Sequence, residues 1–233
     1  MRRVVVTGMG AVTPIGNSVA EFAEALKKGV SGANPITYFD ASNFKTRFAC
    51  EIKNFDPLNF FDRKEVRKMD RYTMYAMVSA DEAIQDAGLD PEKLDVDRVG
   101  VIYASGIGGL RSLEEEVENF TLAGMKTPRY SPFLVPKMIV DIAAGMISIK
   151  YGFRGINYAT VSACASSTHA LMNAFDYIRM GRADIIVAGG GEAAVTKVGL
   201  GGFGSMKALS TRNDDYLTAS RPFDKDRDGF VLA

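Results

Sequence analysis

Tyr158-Ala-Thr-Val-Ser-Ala-Cys164-Ala-Ser-Ser167 is the stretch on which the reading of this chain turns. Apolar and β-branched residues predict a strand ending at residue 163. Beyond it, Leu171, Phe175 and Ile178 recur at i, i+4 and i+7, the period of an amphipathic helix. Between the two, Ser162 and Ala163 precede Cys164, and Ala165, Ser166 and Ser167 follow it. Small residues on both sides meet the steric demand of a sharp strand-to-helix turn that holds a nucleophile clear of the backbone. A thiol in the first turn of a helix also faces unpaired N–H groups and the positive end of the macrodipole, which favour thiolate over thiol. The plainer alternative is an inert cysteine filling a small hole. The turn position and the small neighbours favour the nucleophile.

Outward from that turn the alternation repeats. Residues 4–6, all valine, predict a buried strand, and residues 18–28 a helix capped by Asn17 or Ser18 and ended at Gly29. One long helix is predicted over 64–87, with Val66, Met69, Ala76, Met77, Ala80 and Ile84 down one side and Gly88 closing it. Residues 99–103 read as a second buried strand, 113–120 and 138–149 as helices. Residues 185–188 form a further strand, uniformly apolar as parallel strands are when both faces are covered. The pattern predicts an α/β fold with a largely parallel sheet. Residues 37–62 and 199–228 predict loops that ornament the sheet, and Gly229-Phe-Val-Leu-Ala233 reads as the opening of another strand.

The 233 residues are 47% hydrophobic and 24% charged, ordinary for a globular protein with room for a large core. Lys and Arg number 28, as do Asp and Glu, so no overall field attracts nucleic acid or an anionic membrane, and neither is an expected partner. No run of ~18 apolar residues occurs, and the apolar N-terminal run is too short for a signal peptide. Two cysteines, Cys50 and Cys164, cannot make a disulfide framework; they predict a reducing compartment, the cytoplasm.

Several motifs invite other readings. Gly8-Met-Gly10 lacks the third glycine of a dinucleotide fingerprint, and Pro14 delays the helix on which a phosphate would sit. Gly189-Gly190-Gly191 and Gly199-Leu-Gly201-Gly202-Phe-Gly204 lack the Lys and Ser/Thr of a P-loop, and close backbone approach explains them better. Asp224, Asp226 and Asp228 copy the first half of a calcium loop whose twelfth position falls past residue 233; internal pairing with Lys225 and Arg227 is favoured over calcium. His169, the single histidine, follows Cys164 by five residues, about 140° round a helix, so a Cys–His dyad is not expected. No metal site and no cofactor are expected.

Separated motifs then fall in order. Val4-Val-Val-Thr-Gly8-Met-Gly-Ala-Val-Thr-Pro14-Ile-Gly16, Ser105-Gly-Ile107-Gly-Gly109, Ser162-Ala-Cys164-Ala-Ser-Ser, Ala208-Leu-Ser-Thr-Arg-Asn213, Arg221-Pro-Phe-Asp224 and Arg227-Asp-Gly-Phe230 are colinear. The set resembles the β-ketoacyl-[acyl carrier protein] synthases, the condensing enzymes of fatty acid synthesis, and most of all the type II elongating kind. The resemblance implies a thiolase-like fold: a mixed, mostly parallel, five-stranded sheet with helices on both faces. Residues 1–233 would be the N-terminal half, with insertions near 37–62 and 199–228. It implies a homodimer in which the strand before Cys164 pairs with its twin.

The chemistry implied is acyl transfer followed by decarboxylative condensation. Cys164 takes the acyl chain from acyl carrier protein as a thioester, and its backbone N–H is one oxyanion donor. Malonyl-loaded carrier protein then loses carbon dioxide, and its carbanion attacks the thioester to give the β-ketoacyl product. The second oxyanion donor and two histidines belong to the C-terminal half, so this chain is expected to be acylated but not to condense. By the same resemblance Ile107 and Phe203 line the acyl pocket, with Phe133 and Leu134 reaching across the dimer; each could instead be ordinary core. Lys64, Arg67, Lys68 and Arg71 fall on one face of the predicted long helix, and the resemblance makes them a docking face for the acidic carrier, with Lys126, Arg129 and Lys207 as neighbours. Their plain reading is a solvated face, diluted by Asp62, Glu65 and Asp70. Two other readings stand beside this one. A non-catalytic acyl-binding partner subunit is opposed by Cys164 itself. A thiolase acting on coenzyme A thioesters fits the 208–213 and 221–224 segments less well.

Overall fold

A computed structural model describes residues 2–233. In chain order the elements are α1 (Val19–Lys27), β1 (Asn34–Pro35), β2 (Phe48–Ala49), α2 (Arg63–Val66), α3 (Arg71–Asp86), β3 (Val99–Ala104), α4 (Leu110–Leu122), α5 (Leu134–Met138), α6 (Ile142–Tyr151), β4 (Asn157–Tyr158), α7 (Ser166–Arg179), β5 (Ile185–Gly190) and α8 (Lys197–Ser205).

β3 sets the layers. Its residues alternate between faces, as the pleat requires. Val99, Val101 and Tyr103 pack with Met77, Ile84, Ala143 and Ile147 of α3 and α6, whereas Ile102 and Ala104 pack with Ala170 and Ala174 of α7. Every residue of β3 is buried, which is why its sequence shows no polar alternation. Each fully buried aliphatic side chain, such as Ile102 or Ile147, contributes about 1.5–3 kcal/mol. Along its edges β3 runs parallel to β4, at Val101↔Asn157 and Ile102↔Tyr158, and to β5, from Val99↔Ile185 to Ala104↔Gly190. Helices thus cover both faces of a parallel sheet. β1 and β2 form a separate antiparallel pair.

Several expectations need correction. The sheet has three strands among the described residues, and residues 4–6 are not one of them. The N-terminal segment lies along α3 instead of joining the sheet, in which β3 pairs only with β4 and β5, and Val5 and Val6 are left exposed. Carboxylates hold it there: Met9 N–H donates to Asp86 (2.9 Å) and Ala11 N–H to Glu82 (2.9 Å). Gly8 and Gly10 permit this contact, since a Cβ on either would fall 2.2 Å from the Ala83 carbonyl oxygen or 1.8 Å from that of Ser79. Backbone approach, not phosphate, accounts for both.

The predicted long helix is two. Asp62 caps α2 in a capping box with Glu65, and Asp70, 2% exposed, caps α3 through Tyr72 N–H (3.2 Å). Ser112 of α4 donates both N–H (3.0 Å) and hydroxyl (2.6 Å) to the same carboxylate, so the break is tied into the core. The predicted 138–149 helix starts later, as α6 at Ile142, with an extended Ile139 separating it from the short α5, and 113–120 lengthens into α4. Residues 199–228 are less loop-like than expected, because α8 forms despite its glycines. Before Cys164, only Asn157 and Tyr158 pair as a strand. At the other end, Phe230 makes an isolated parallel bridge with Leu209, and Cys50 N–H donates to the Leu232 carbonyl (2.8 Å). No helix among the described residues is long and apolar enough to cross a membrane.

Candidate active site

Cys164 is exposed and unpaired on the turn that joins β4 to α7. Ala163 carries the turn with φ 51°, in the left-handed region, where an L-residue is disfavoured by about 1–2 kcal/mol. Backbone strain of this kind persists only where the surroundings over-determine it. Here they do. The Ser166 hydroxyl, in a residue 4% exposed, accepts from Ser162 N–H (2.7 Å) and donates to the Ala163 carbonyl (2.7 Å). Ala165 and Ser166 N–H close back onto the Ser162 and Ala163 carbonyls, both at 3.1 Å, and Thr160 donates to the Ser166 carbonyl (2.8 Å). The turn is braced from beneath while the thiol faces outward. One detail differs from expectation: Ala165 is the N-cap and α7 begins at Ser166, so Cys164 lies just ahead of the helix, outside its first turn. Ser166 was not singled out in the sequence; a serine two residues after the nucleophile was the only signal.

The loop of residues 105–109, at the carboxyl end of β3, is wedged against this turn. A Cβ on Gly106 would lie 3.0 Å from Glu192 Oε2 and 3.8 Å from the Ala163 carbonyl oxygen, and one on Gly109 would lie 2.2 Å from the Lys137 carbonyl oxygen of α5. Gly109 N–H also donates to the Met138 carbonyl (3.2 Å). The loop therefore joins the Cys164 turn on one side and α5 on the other. Ile107 at its tip is 40% exposed, Phe133 just before α5 is exposed, and Leu134 is half-buried. Phe203 belongs to a different cluster, with Ala194, Leu200 and Leu209, and meets Phe230 edge-on at 5.4 Å.

Lys64, Arg67, Lys68, Lys126, Arg129 and Lys207 are exposed, and none forms an ion pair among the described residues. Lys207 lines an open cleft of about 280 Å³ with Lys45, Gly201 and Gly204. Because α2 and α3 are separate, Arg71 does not continue the face of Lys64, Arg67 and Lys68. It is half-buried, with its guanidinium 4.6 Å from the centre of the Tyr38 ring, and Arg111 lies 5.7 Å from the same ring.

His169 is exposed, and its Nδ1 lies 2.6 Å from Ser162 Oγ. Burial pushes the Cys50 thiol above its ordinary value, with Lys53 pulling it partly back. Asp228 pairs with Arg212 (3.5 Å) and Asp224 with Arg221 (3.9 Å), rather than with Lys225 or Arg227. No group of three or more His, Cys, Asp or Glu among the described residues is placed to hold a metal ion.

Known proteins resemble this chain in sequence and fold. Residues 1–233 match the family described as Beta-ketoacyl synthase, N-terminal domain. The chain is 47% identical over 232 residues to 3-oxoacyl-[acyl-carrier-protein] synthase 2 of Synechocystis sp., which covers 99% of this chain and 55% of that protein. The crystal structure of a beta-ketoacyl synthase from Burkholderia phymatum matches with a TM-score of 0.85 at 32% identity, over 99% of this chain and 56% of the other. The ishigamide ketosynthase/chain length factor matches with a TM-score of 0.89 at 30% identity, over 99% and 55%. The chain spans about half the length of the relatives it matches.

Proposed function

The chain belongs to the β-ketoacyl synthase family, and from that premise we propose that Cys164 accepts an acyl group from an acyl carrier protein in the elongation of fatty acids. The observation that carries the proposal is the exposed thiol on a strained, braced turn, directly against the Ile107 loop. The thiolate attacks the thioester carbonyl, the N–H of Cys164 helps hold the developing oxyanion, and the carrier's thiol departs. Malonyl-carrier protein then loses carbon dioxide, and its carbanion displaces the Cys164 thiolate to form the β-ketoacyl product. The reaction class is acyl transfer with condensation, on a thiolase-like α/β fold of which residues 1–233 form the N-terminal half.

The single histidine is engaged by Ser162. Condensation in the family calls on two histidines and a second oxyanion donor from the C-terminal half, so this chain taken alone is proposed to be acylated without condensing. Ile107, Phe133, Leu134 and Phe203 are the proposed acyl-contact residues, Ile107 the foremost because its loop touches the turn that bears the thiol. Lys64, Arg67, Lys68, Lys126, Arg129 and Lys207 form the proposed docking face for an acidic carrier, with attraction of the long-range kind that speeds encounter; Arg71, stacked on Tyr38, plays a lesser part. A homodimer is supported by the exposed apolar side chains of Val161, Leu171, Met172 and Phe175 on and beside α7. Two free cysteines support a cytoplasmic setting.

Intact-mass measurement after incubation with an acyl-carrier thioester tests the reading. The wild-type chain should gain one acyl group, Cys164→Ser none, and Cys50→Ser should behave as wild type. Equal labelling of Cys164→Ser and wild type would sink the assignment.

A further inference from the structure

Glu192 stands just past β5, where Gly191 N–H donates to the Ala104 carbonyl (3.0 Å) and brings the ends of β5 and β3 together. Its carboxylate is fully engaged by the Ile107 loop. Oε1 accepts from the Ser105 hydroxyl (3.0 Å), and Oε2 accepts from the N–H groups of Gly106 (2.8 Å) and Ile107 (3.0 Å). Ser105 Oγ in turn accepts from Gly108 N–H (2.9 Å). Four consecutive residues are thus gathered onto one side chain, directly or through one hydroxyl.

The rest of the loop is fixed by sterics. Gly108 has φ +75°, and a Cβ there would come 2.6 Å from the Met138 carbonyl oxygen; Gly109 is tighter still against Lys137. Gly106 makes no such contact with α5, and among the described residues Glu192 is the only acceptor for the N–H groups of Gly106 and Ile107. We infer that Glu192 is a positioning residue that fixes Ile107 relative to Cys164, and so sets which acyl chain lengths are accepted. The inference rests on the acyl-pocket reading of Ile107, and goes beyond it in naming what holds that residue in place. A carboxylate suits the task because both oxygens can take several donors at once, and charge-assisted bonds to backbone N–H are stronger than neutral ones.

The test measures Cys164 acylation rates by intact mass, over even-numbered acyl-carrier thioesters from short to long, together with thermal unfolding. Ile107→Phe probes the underlying reading and should move the preferred length downward. Glu192→Ala should flatten the wild-type preference, with discrimination between best and poorest substrates falling about tenfold, the scale expected when a contact shifts by a fraction of an ångström to one ångström. Glu192→Gln should keep most of it: its amide oxygen can face the two N–H groups while its NH2 donates to Ser105 Oγ. A role confined to stability would lower the unfolding midpoint without changing the ranking of chain lengths. If Ile107→Phe shifts the preference and Glu192→Ala leaves it as in wild type, Glu192 does not set it. If Ile107→Phe changes nothing, the acyl-pocket reading fails and takes the inference with it. Should Glu192→Ala not fold cooperatively, Ser105→Ala decides instead. It removes the hydroxyl bridge to Gly108 and should flatten the preference to a smaller degree; an unchanged ranking overturns the inference.

Discussion

At the scale of single residues, the site depends on an alanine where glycine would be the easy choice. Ala163 has φ 51°, yet a Cβ is present, and the chain keeps it directly before its exposed thiol. Ala163→Gly removes the left-handed penalty but gains backbone freedom in the unfolded state, so the two effects should cancel to within about 0.5 kcal/mol. Ala163→Val puts a β-branched side chain in the same conformation and should destabilise by about 1–3 kcal/mol. Urea unfolding of the two variants checks this, and equal midpoints for valine and wild type would mean that the turn is not strained. The need for small residues around Cys164 was legible in the sequence. The sign of φ at Ala163 was not, because alanine ordinarily avoids positive φ and the hydrogen bonds of Ser166 and its neighbours hold it there. Nor was Glu192 legible: an acidic residue after three glycines carries no signal until β3 and β5 bring it beside residues 105–108.

At the scale of elements, the sequence pattern found β3, β5 and most helices but not the helix ends, and it placed a strand at residues 4–6 where none forms. The pattern of Val66, Met69, Ala76 and Met77 runs on as if one helix carried it, and the two aspartates that cap α2 and α3 look like surface charge until Asp70 is seen to be buried. Charge type was legible there; its partners, Tyr72 and Ser112, were not. α8 poses the reverse problem, since four glycines in nine residues read as loop while Thr196 caps a helix through Gly199 N–H (3.0 Å). At Gly202 and Gly204 the backbone is not left-handed and a Cβ would meet nothing within 4 Å. Gly202→Ala and Gly204→Ala should therefore each stabilise the chain by about 0.5–1 kcal/mol, by helix propensity and reduced freedom of the unfolded state. Gly199→Ala should do the opposite, its Cβ falling 2.2 Å from the Ala194 carbonyl oxygen. Thermal melts of the three variants, ranked against wild type, decide it. A loss of stability at Gly202 or Gly204 would show that α8 does not hold this helix in solution.

At the scale of the whole molecule, the N-terminal segment is held on without being a strand of the sheet, by Asp86 and Glu82 at Met9 and Ala11 and by one further, exposed carboxylate. Asp184, at the entry to β5, pairs with Arg2 of the N-terminal segment and with Arg98 at the entry to β3 (2.5 Å), while its N–H donates to the Arg98 carbonyl (3.0 Å). Three parts of the chain remote in sequence meet there. Hydrogen bonds from Arg98 and then Arg2 hold the Asp184 carboxyl down at about 2, below its ordinary value of 3.8. The sign follows from linkage: a group whose folded value is depressed contributes stability above its unfolded value, and that contribution fades as pH falls from 3.8 through about 2. Asp184→Asn should be less stable than wild type at neutral pH, with the gap closing across that acid window. Because the pair is exposed, added salt should also narrow the gap at neutral pH. Urea midpoints of the two proteins against pH, at low and high salt, read both effects. A gap that persists unchanged below pH 2 would assign the loss to the shape of the asparagine side chain, and the tether would then be packing instead of charge.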